Sequence, residues 1–483
     1  MPHGWTQRHR APPTMGVQFR LAMKQQAHDV FEQTLFAISN PDHELYGQYL
    51  QVADIKNLTK SSETATKFVY LWLQQSGIND SQILYDGSNT FHFETTIKVA
   101  EAMMGSEFYS FEDASGMSIT RTLGYSVPDG VASHLMMIHP TTHFGQMSPQ
   151  RISLSSVSKP SRQAPSATTI NSGNPAFNIT LCNQTITPDC LRAIYEIGNF
   201  EAKSSSGSLL GISGYLNQFP KYDAYARFLS EYAPYAKDQN FTYLLVNGGR
   251  DIQNDTTYND FEGNLDVMYT APLVMDTKIN YYSTGGLGYL VPDLDQPLQE
   301  NNENEPYLQL IDYLLSLPDS ELPQTLTTSY GEGEQTVPEG YARTVCDMFG
   351  QLGLRGVSVI FSSGDTGPGS ACQTNDGKNK TRFIPQFPAA CPYVTSVGAT
   401  RHFEPESSVF YSSGGFSEIF PRPVWQHDAV EKYLKILGTR WKGLYNPRGR
   451  AFPDVSAQGW AFEYIEKNHE TQELESILGY GTR

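Results

Sequence analysis

Short apolar runs alternate with helical stretches throughout the second part of the sequence, after about residue 174. The runs SLLGISGYL, FTYLLVNG, QTLTTSYG, VSVIFSSG and YVTSVGAT occupy 208–216, 241–248, 324–331, 357–364 and 393–400. Stretches with helical spacing lie between them, near 220–232, 261–272, 306–316 and 338–353. Since this alternation is typical of a parallel sheet covered by helices on both faces, it predicts an α/β fold. Ligand sites in such folds lie at the carboxyl ends of the strands.

The first 140 residues show a second, smaller pattern. Strand-like segments at 16–24, 90–96 and 134–140 alternate with helical segments at 25–38, 62–76 and 97–104. This order predicts a ferredoxin-like α+β unit.

A serine-rich stretch at 151–173 separates the two patterns, with seven Ser and two Pro. Such a composition buries too little apolar surface to offset the entropy of ordering. We therefore expect three regions: 1–150, a linker at 151–173, and 174–483. The linker is either a plain connection or a processing site, for which Arg151, Lys159 and Arg162 supply basic residues.

The composition excludes some partners. A formal net charge of -17 disfavours nucleic acid, because a polyanion would be repelled. No run of about 18 apolar residues is present, so the sequence predicts no membrane span. We expect a monomer.

Glycosylation sequons favour a secreted protein. The candidate acceptors are Asn57, Asn79, Asn178, Asn183, Asn240, Asn254 and Asn379. Residues Met1–Trp5 are not followed by an apolar signal core, so we expect the natural start to lie elsewhere.

The five cysteines agree with secretion. Cys182 and Cys190 are close enough in sequence to close a small loop. Among Cys346, Cys372 and Cys391 one thiol is odd; Cys372 and Cys391 are further disulfide candidates, and the pairing stays open. No Cys/His spacing typical of a metal site occurs.

Asp365 is the first candidate for chemistry. The segment SSGDTG (362–367) follows an apolar strand, which places Asp365 at a carboxyl strand end between glycines. Glycines allow a ligand to approach the backbone closely. The alternative interpretation is an aspartate that only caps a turn.

Glu262 and Asp266 are the second candidate. They are four residues apart, so a helix would place both carboxylates on one face. The alternative is a solvated acidic face. After residue 174 the only histidines are His402, His427 and His469, none in a catalytic setting, so a Ser-His-Asp triad is poorly supported. A glutamate could still accept a proton near pH 4, where histidine is protonated.

A series of sequence blocks resembles the fungal sedolisins, serine-carboxyl peptidases of the tripeptidyl-peptidase type. Residues 2–5 and the 16–143 pattern resemble the prosegment of that family, and Glu262 with GNLD resembles its Glu-x-x-x-Asp pair. The other matching blocks are ITPDCLRAIY (186–195), YSTGG (282–286), SSGDTG, FPAACPYVTSVGAT (387–400), SSGGFSEIFPRPVWQ (412–426) and FPDVSAQG (452–459).

The resemblance implies a subtilisin-like parallel sheet with flanking helices, preceded by the ferredoxin-like prosegment. It makes Glu262 the general base, Asp266 the residue that orients it, and Asp365 the stabiliser of the oxyanion. The nucleophile is expected in a Gly-Thr-Ser block, but here Gly481-Thr482 is followed by Arg483. The family's calcium-binding segment follows that serine, so we expect no cofactor in this chain.

Two functions are therefore open. The first is a secreted, acid-acting peptidase precursor that releases tripeptides from N-termini and is inhibited by its own prosegment. The second is an inactive, peptide-binding relative or a truncated isoform, because this chain lacks the serine. Eight of the 11 histidines lie before residue 144. Their protonation would destabilise the prosegment on acidification, if they are buried.

Overall fold

The computed structural model describes residues 5–113, 118–142, 179–254, 260–298, 301–468 and 471–482. These residues form two compact units. The first unit comprises the described parts of Met1–Gln146, Gly288–Asn302 and Thr336–Gly356. The second comprises those of Met147–Leu287, Glu303–Gln335 and Val357–Arg483. Strands and helices are numbered in chain order.

The first unit is a ferredoxin-like fold, as the sequence predicts. A four-stranded antiparallel sheet has the order β3-β4-β2-β7, which is the order 4-1-3-2 read from its other edge. A second sheet joins β1, β5 and β6. Its elements are β1 (Trp5–Arg10), β2 (Gly16–Met23), α1 (His28–Ser39), α2 (Val52–Leu58), α3 (Glu63–Gln75), β3 (Ile83–Tyr85), β4 (Thr90–Thr96), α4 (Ile97–Met104), β5 (Tyr109–Asp113), β6 (Ser118–Arg121), α5 (Asp129–Ala132), β7 (Leu135–His139) and α11 (Glu339–Leu354).

The helix α11 is part of this first unit, although its sequence follows the strands of the second. It packs against α1 and β7. His28 Nε2 lies 2.9 Å from Asp347 Oδ1, and Gly340 lies so close to the carbonyl of Met136 that a Cβ would be 2.4 Å from its oxygen. The helix prediction for 338–353 is confirmed, but helical spacing does not say which unit a helix packs on.

The second unit is built on a mainly parallel sheet, which confirms the predicted α/β fold. Among the described residues this sheet has the order β16-β15-β13-β11-β8-β10-β9, with β19 also paired to β15. Its elements are α6 (Ile179–Cys182), α7 (Pro188–Ile194), β8 (Leu209–Gly214), α8 (Tyr222–Tyr232), β9 (Thr242–Val246), α9 (Phe261–Val274), β10 (Lys278–Thr284), α10 (Tyr307–Ser316), β11 (Thr325–Thr328), β12 (Glu332–Gly333), β13 (Ser358–Ser362), β14 (Gln386–Phe387), β15 (Thr395–Arg401), β16 (Ser407–Ser408), β17 (Gly415–Pro421), α12 (His427–Leu437), β18 (Gly449–Phe452), β19 (Val455–Gln458), β20 (Phe462–Lys467) and β21 (Leu474–Gly479).

All five apolar runs of the sequence form strands of this sheet, but β10 is an addition. It lies between β8 and β9 and is parallel to both. Its sequence KINYYST lacks a continuous aliphatic run. Its tyrosines are buried instead, and the hydroxyl of Tyr281 donates to the carbonyl of Gln218 at 2.9 Å. A buried tyrosine whose hydroxyl is hydrogen-bonded can pack in the core of a central strand as an aliphatic residue does.

The cysteine prediction is half right. Cys182 and Cys190 are joined by a disulfide. Cys372, however, is a free thiol that donates to the carbonyl of Gly369, whereas Cys346 and Cys391 are both disulfide-bonded. Cys372 as a disulfide candidate is therefore wrong, whereas Cys391 is disulfide-bonded as predicted. Spacing could not reveal this, because Cys346 lies on the buried face of a helix distant in sequence.

The disulfide at the start of the second unit should be a measurable source of stability. Cys182 and Cys190 close a loop with a sequence separation of eight residues. Replacing both with serine should lower the free energy of unfolding by about 2–3 kcal/mol, because the open loop gains entropy in the unfolded chain. Urea denaturation measures the change. Cys372→Ser is the matched control, and an equal loss in both proteins would contradict this role for the disulfide.

Candidate active site

The first two candidate carboxylates lie at the start of α9. Glu262 and Asp266 are buried, with 1% and 8% of their surface exposed. The backbone amide of Glu262 donates to the side chain of Gln218 at 3.0 Å. Nearly all of α9 is buried, including its polar residues. The alternative of a solvated acidic face is therefore wrong, and two buried carboxylates on one helix face need a functional account.

Asp266 is bound by a residue at the end of a sheet strand. Its Oδ1 accepts a hydrogen bond of 2.9 Å from the hydroxyl of Ser329, the residue that follows strand β11. The next residue, Tyr330, is 3% exposed, and burial raises its pKa well above the usual value, with further increases from Glu262 and Asp266. Tyr330 therefore stays protonated beside the two carboxylates.

Asp365 lies at the carboxyl end of β13, on the turn that the sequence predicts. Gly364 has a φ of 103°, which favours glycine, and its amide donates to Thr482 Oγ1 at 3.0 Å. Asp365 Oδ1 accepts two hydrogen bonds from Thr482: from its amide at 2.7 Å and from its hydroxyl at 3.0 Å. Asp365 thus does more than cap its own turn, because it binds the residue directly before position 483.

A short segment connects α9 with the Asp365 turn. A Cβ on Gly479 would lie 2.9 Å from the ring of Phe261, the residue before Glu262. Three residues later, Thr482 binds Asp365. Three residues span at most roughly 10 Å, so the start of α9 and Asp365 lie on either side of one short stretch of chain. The structure therefore brings the three predicted carboxylates to the same end of the sheet. Position 483 itself is outside the described residues.

Comparisons with known proteins show what the chain is similar to. The family model "Pro-kumamolisin, activation domain" matches residues 3–144. The chain is 47% identical over 465 residues to the probable tripeptidyl-peptidase SED3 of Arthroderma benhamiae, covering 96% of this chain and 76% of that protein. It is 42% identical over 471 residues to tripeptidyl-peptidase SED2 of Arthroderma otae, covering 97% and 78%.

The chain belongs to the sedolisin family. Its relatives in that family are fungal tripeptidyl-peptidases with an activation domain. Among solved structures it is similar to Pseudomonas sedolisin, a serine-carboxyl proteinase, with a TM-score of 0.40 and 17% identity. That similarity covers 62% of this chain and 76% of the other.

Within this sedolisin, sequence reasoning missed Ser329, Tyr330 and the role of Thr482. The first two could have been found, because QTLTTSYG was predicted as a strand and its carboxyl end carries both residues. The contact between Thr482 and Asp365 spans 117 residues and has no local signal.

The sequons are mostly accessible in the described part of the chain. Asn57, Asn79, Asn240, Asn254 and Asn379 are exposed. Asn183 is half-buried, and its amide donates to the carbonyl of Phe403 at 3.3 Å. Asn178 and the 151–173 linker lie outside the described residues. No helix in the described ranges is long and apolar enough to cross a membrane.

A metal site is not evident in the same ranges, where no three His, Cys, Asp or Glu side chains converge as ligands. The calcium segment of the family remains an expectation for residues that follow the serine block, and no step of the chemistry is assigned to it.

Proposed function

We propose that this chain is the precursor form of a secreted, acid-acting serine-carboxyl peptidase that releases tripeptides from the N-termini of peptides. The observation that carries the proposal is the pair of hydrogen bonds from Thr482 to Asp365. They support a nucleophile position directly after Thr482, beside a carboxyl group able to bind an oxyanion. The prosegment, residues 1–150, would act as the intramolecular inhibitor.

The chemistry follows from the three carboxyl groups. Glu262 would take the proton of an attacking serine hydroxyl, and Asp266, held by Ser329, would orient Glu262. Asp365, when protonated, would donate a hydrogen bond to the oxyanion of the tetrahedral intermediate. A neutral carboxyl group acts as this kind of donor in ketosteroid isomerase.

Acid operation is supported by buried carboxyl groups away from the three catalytic candidates. Burial raises the pKa of Glu334 to about 7 and that of Glu466 to about 8. Both groups hold their protons below neutral pH, where the buried charge would otherwise be costly. The second unit is thus suited to an acidic medium.

Secretion is supported by the covalent chemistry of the chain. Four cysteines are disulfide-bonded, and disulfides persist mainly in oxidising compartments. The five exposed sequons agree with this.

Two prosegment histidines respond to acidification in opposite directions. Burial lowers the pKa of His139 to about 3, helped by Arg121 and Arg20, so its contribution to stability is lost as the pH falls from about 6.5 toward 3. The hydrogen bond to Asp347 raises the pKa of His28, so that contribution is present below about pH 6.5 and is lost as the pH rises through the folded-state pKa. Acidification therefore weakens one histidine site and strengthens the other.

A second candidate function is an inactive peptide-binding relative, and the arginine at position 483 favours it. An enzyme of this class without its serine should lose roughly 10⁶ in rate. The two functions differ in what the genome encodes after the codon for Thr482.

The test has two parts. Sequencing the genomic region after the Thr482 codon should reveal a frame that continues with serine. The product of that frame should hydrolyse a fluorogenic tripeptide substrate near pH 4, while the chain with Arg483 stays at background. Glu262→Gln in the active product should lower kcat by about 10²–10⁴, the usual contribution of a general base. Glu321→Gln, at an exposed site, is the control. Hydrolysis by the Arg483 chain, or an active Glu262→Gln variant, would contradict the proposal.

A further inference from the structure

Four aromatic side chains of the second unit form a continuous row of ring contacts beside the Asp365 turn. The ring of Phe410 lies edge-on to that of Tyr411, with centroids 5.3 Å apart. Tyr411 is stacked with Trp460 at 6.3 Å, and Trp460 lies edge-on to Tyr480 at 4.7 Å. Edge-on and offset contacts are the favourable arrangements of aromatic rings. We call these four side chains the aromatic row.

Hydrogen bonds attach this row to the reacting position. The amide of Gly367, two residues after Asp365, donates to the carbonyl of Tyr411 at 2.8 Å. The hydroxyl of Tyr411 donates to the carbonyl of Gly459 at 2.6 Å, and the amide of Gly481 donates to the same carbonyl at 3.0 Å. Gly481 lies two residues before the expected nucleophile. The aromatic row is therefore continuous with the turn of the oxyanion carboxyl group and with the segment that leads to the nucleophile.

The aromatic row is open to solvent. Phe410 has 81% of its surface exposed, and Tyr411, Trp460 and Tyr480 are half-buried. A single exposed phenylalanine is ordinary on a protein surface, but this one ends a row that reaches the reacting position. The guanidinium of Arg401 lies 5.5 Å over the ring of Trp460, a cation–π contact that fixes the orientation of this ring. Rings that are held in place and remain accessible are typical of sites that bind apolar side chains.

Distance and openness indicate which part of a peptide substrate the aromatic row contacts. Tyr480 is three residues from the expected nucleophile, so it lies at most roughly 10 Å from it. Two extended substrate residues span roughly 7 Å, which limits the contact to the residues next to the scissile bond. An enzyme that releases tripeptides must close its binding region three residues before that bond, whereas the part after the bond has any length. A surface as open as that of Phe410 suits the part after the bond, because a longer chain can continue over it.

We propose that the aromatic row binds an aromatic or large apolar side chain at the first or second substrate residue after the scissile bond. This inference rests on the proposed peptidase function and adds a specificity site on the leaving-group side. A phenylalanine of the substrate would extend the row in the same edge-on or offset geometry and would cover the exposed ring of Phe410. The gain is the apolar surface that both rings remove from water.

The experiment measures kcat/KM near pH 4 for the product of the frame that continues with serine after Thr482. The substrates are hexapeptide amides that begin with Ala-Ala-Phe and carry either phenylalanine or alanine at the first or second residue after the cleaved bond. Phenylalanine should be preferred at one of these two positions by roughly 10- to 50-fold, the ratio expected for burial of one aromatic side chain. Phe410→Ser and Trp460→Leu should each reduce this ratio to about 3-fold or less. Phe410 is mostly exposed, so we expect its variant to fold.

Phe200→Ser is the matched control and should keep the ratio. Phe200 is an exposed phenylalanine of the same unit, and the amide of Ala202 beside it donates to the carbonyl of Met275, at the end of α9 opposite to Glu262. Equal cleavage of the phenylalanine and alanine substrates by the natural sequence would overturn the specificity site and leave the peptidase function intact. A ratio that persists in both variants would also overturn it, as would a Phe410→Ser variant whose preference changes only within the released tripeptide. If the natural sequence cleaves none of these peptides, the proposed function is contradicted together with the inference.

Discussion

Lys221→Met is expected to lower the free energy of unfolding of the second unit by about 3–5 kcal/mol. Lys221 Nζ lies 3.1 Å from Asp260 Oδ2, and both side chains are almost fully buried, at 2% and 4% exposed. Lys221 Nζ also donates to the carbonyl of Ile252. Removing the lysine leaves the Asp260 carboxylate buried without its cation, and the cost of that desolvated charge is the main part of the loss.

The measurement is urea denaturation followed by tryptophan fluorescence, with Lys432→Met as a control at an exposed lysine of α12. The double variant Lys221→Met/Asp260→Asn should recover part of the loss, because the unpaired charge is then absent as well. A loss below about 1 kcal/mol in the single variant would contradict a structural role for the pair. So would a double variant whose loss in free energy of unfolding exceeds the summed losses of the two single variants.

The lysine matters for the site because it belongs to a network on the other side of α9 from the catalytic pair. Asp260 precedes the helix and accepts from the amide of Phe219 at 3.0 Å. Asn264 accepts from the amide of Lys221 at 2.8 Å and donates to Glu466 at 3.2 Å. Residues 260 and 264 thus anchor the face of α9 opposite to 262 and 266. This network fixes the helix from which Glu262 and Asp266 project.

The main strands and helices could be predicted because their signals are local. An apolar run such as VSVIF followed by a glycine turn indicates a buried strand and places Asp365 at its end. The ferredoxin-like alternation of the first 140 residues also differs from that of the parallel sheet, but it does not reveal that 288–302 and 336–356 belong to the first unit. Strand β10 was missed since its central residues are tyrosines, which become core residues only when partners such as Gln218 accept from their hydroxyls.

The site was harder to predict, because its decisive contacts join distant parts of the chain. Burial of Glu262 and Asp266 could not be foreseen, since an Asp-rich approach to a helix usually indicates a solvated surface. The hydrogen bonds of Ser329 with Asp266 and of Thr482 with Asp365 depend on how separate strands end at one edge of the sheet. For the same reason, the state of Cys346 and Cys372 was not accessible from spacing alone.

The second large effect should appear in the pH dependence of stability. Glu466 lies on β20 at 8% exposure, and burial, followed by the charge of Asp260, raises its pKa from 4.5 to about 8. The folded state therefore binds this proton more tightly than the unfolded chain. The stabilisation is fully present below about pH 4.5 and is lost as the pH rises to about 8. The slope approaches 1.4 kcal/mol per pH unit, so the total loss is several kcal/mol.

Glu466→Gln isolates this contribution, because the amide oxygen of glutamine can still accept from Asn264 while carrying no charge. We expect the variant to match the natural chain at pH 4.5 and to exceed it by several kcal/mol at pH 8, as measured by urea denaturation across that range. A residual slope should remain, because the pKa of Glu334 is raised to about 7 by burial and responds in the same direction. Glu473→Gln, at an exposed glutamate before β21, should leave the profile unchanged. A stability that rises with pH, or an unaltered slope in Glu466→Gln, would show that Glu466 is already ionised in the folded protein and that the buried network beside α9 carries its charge.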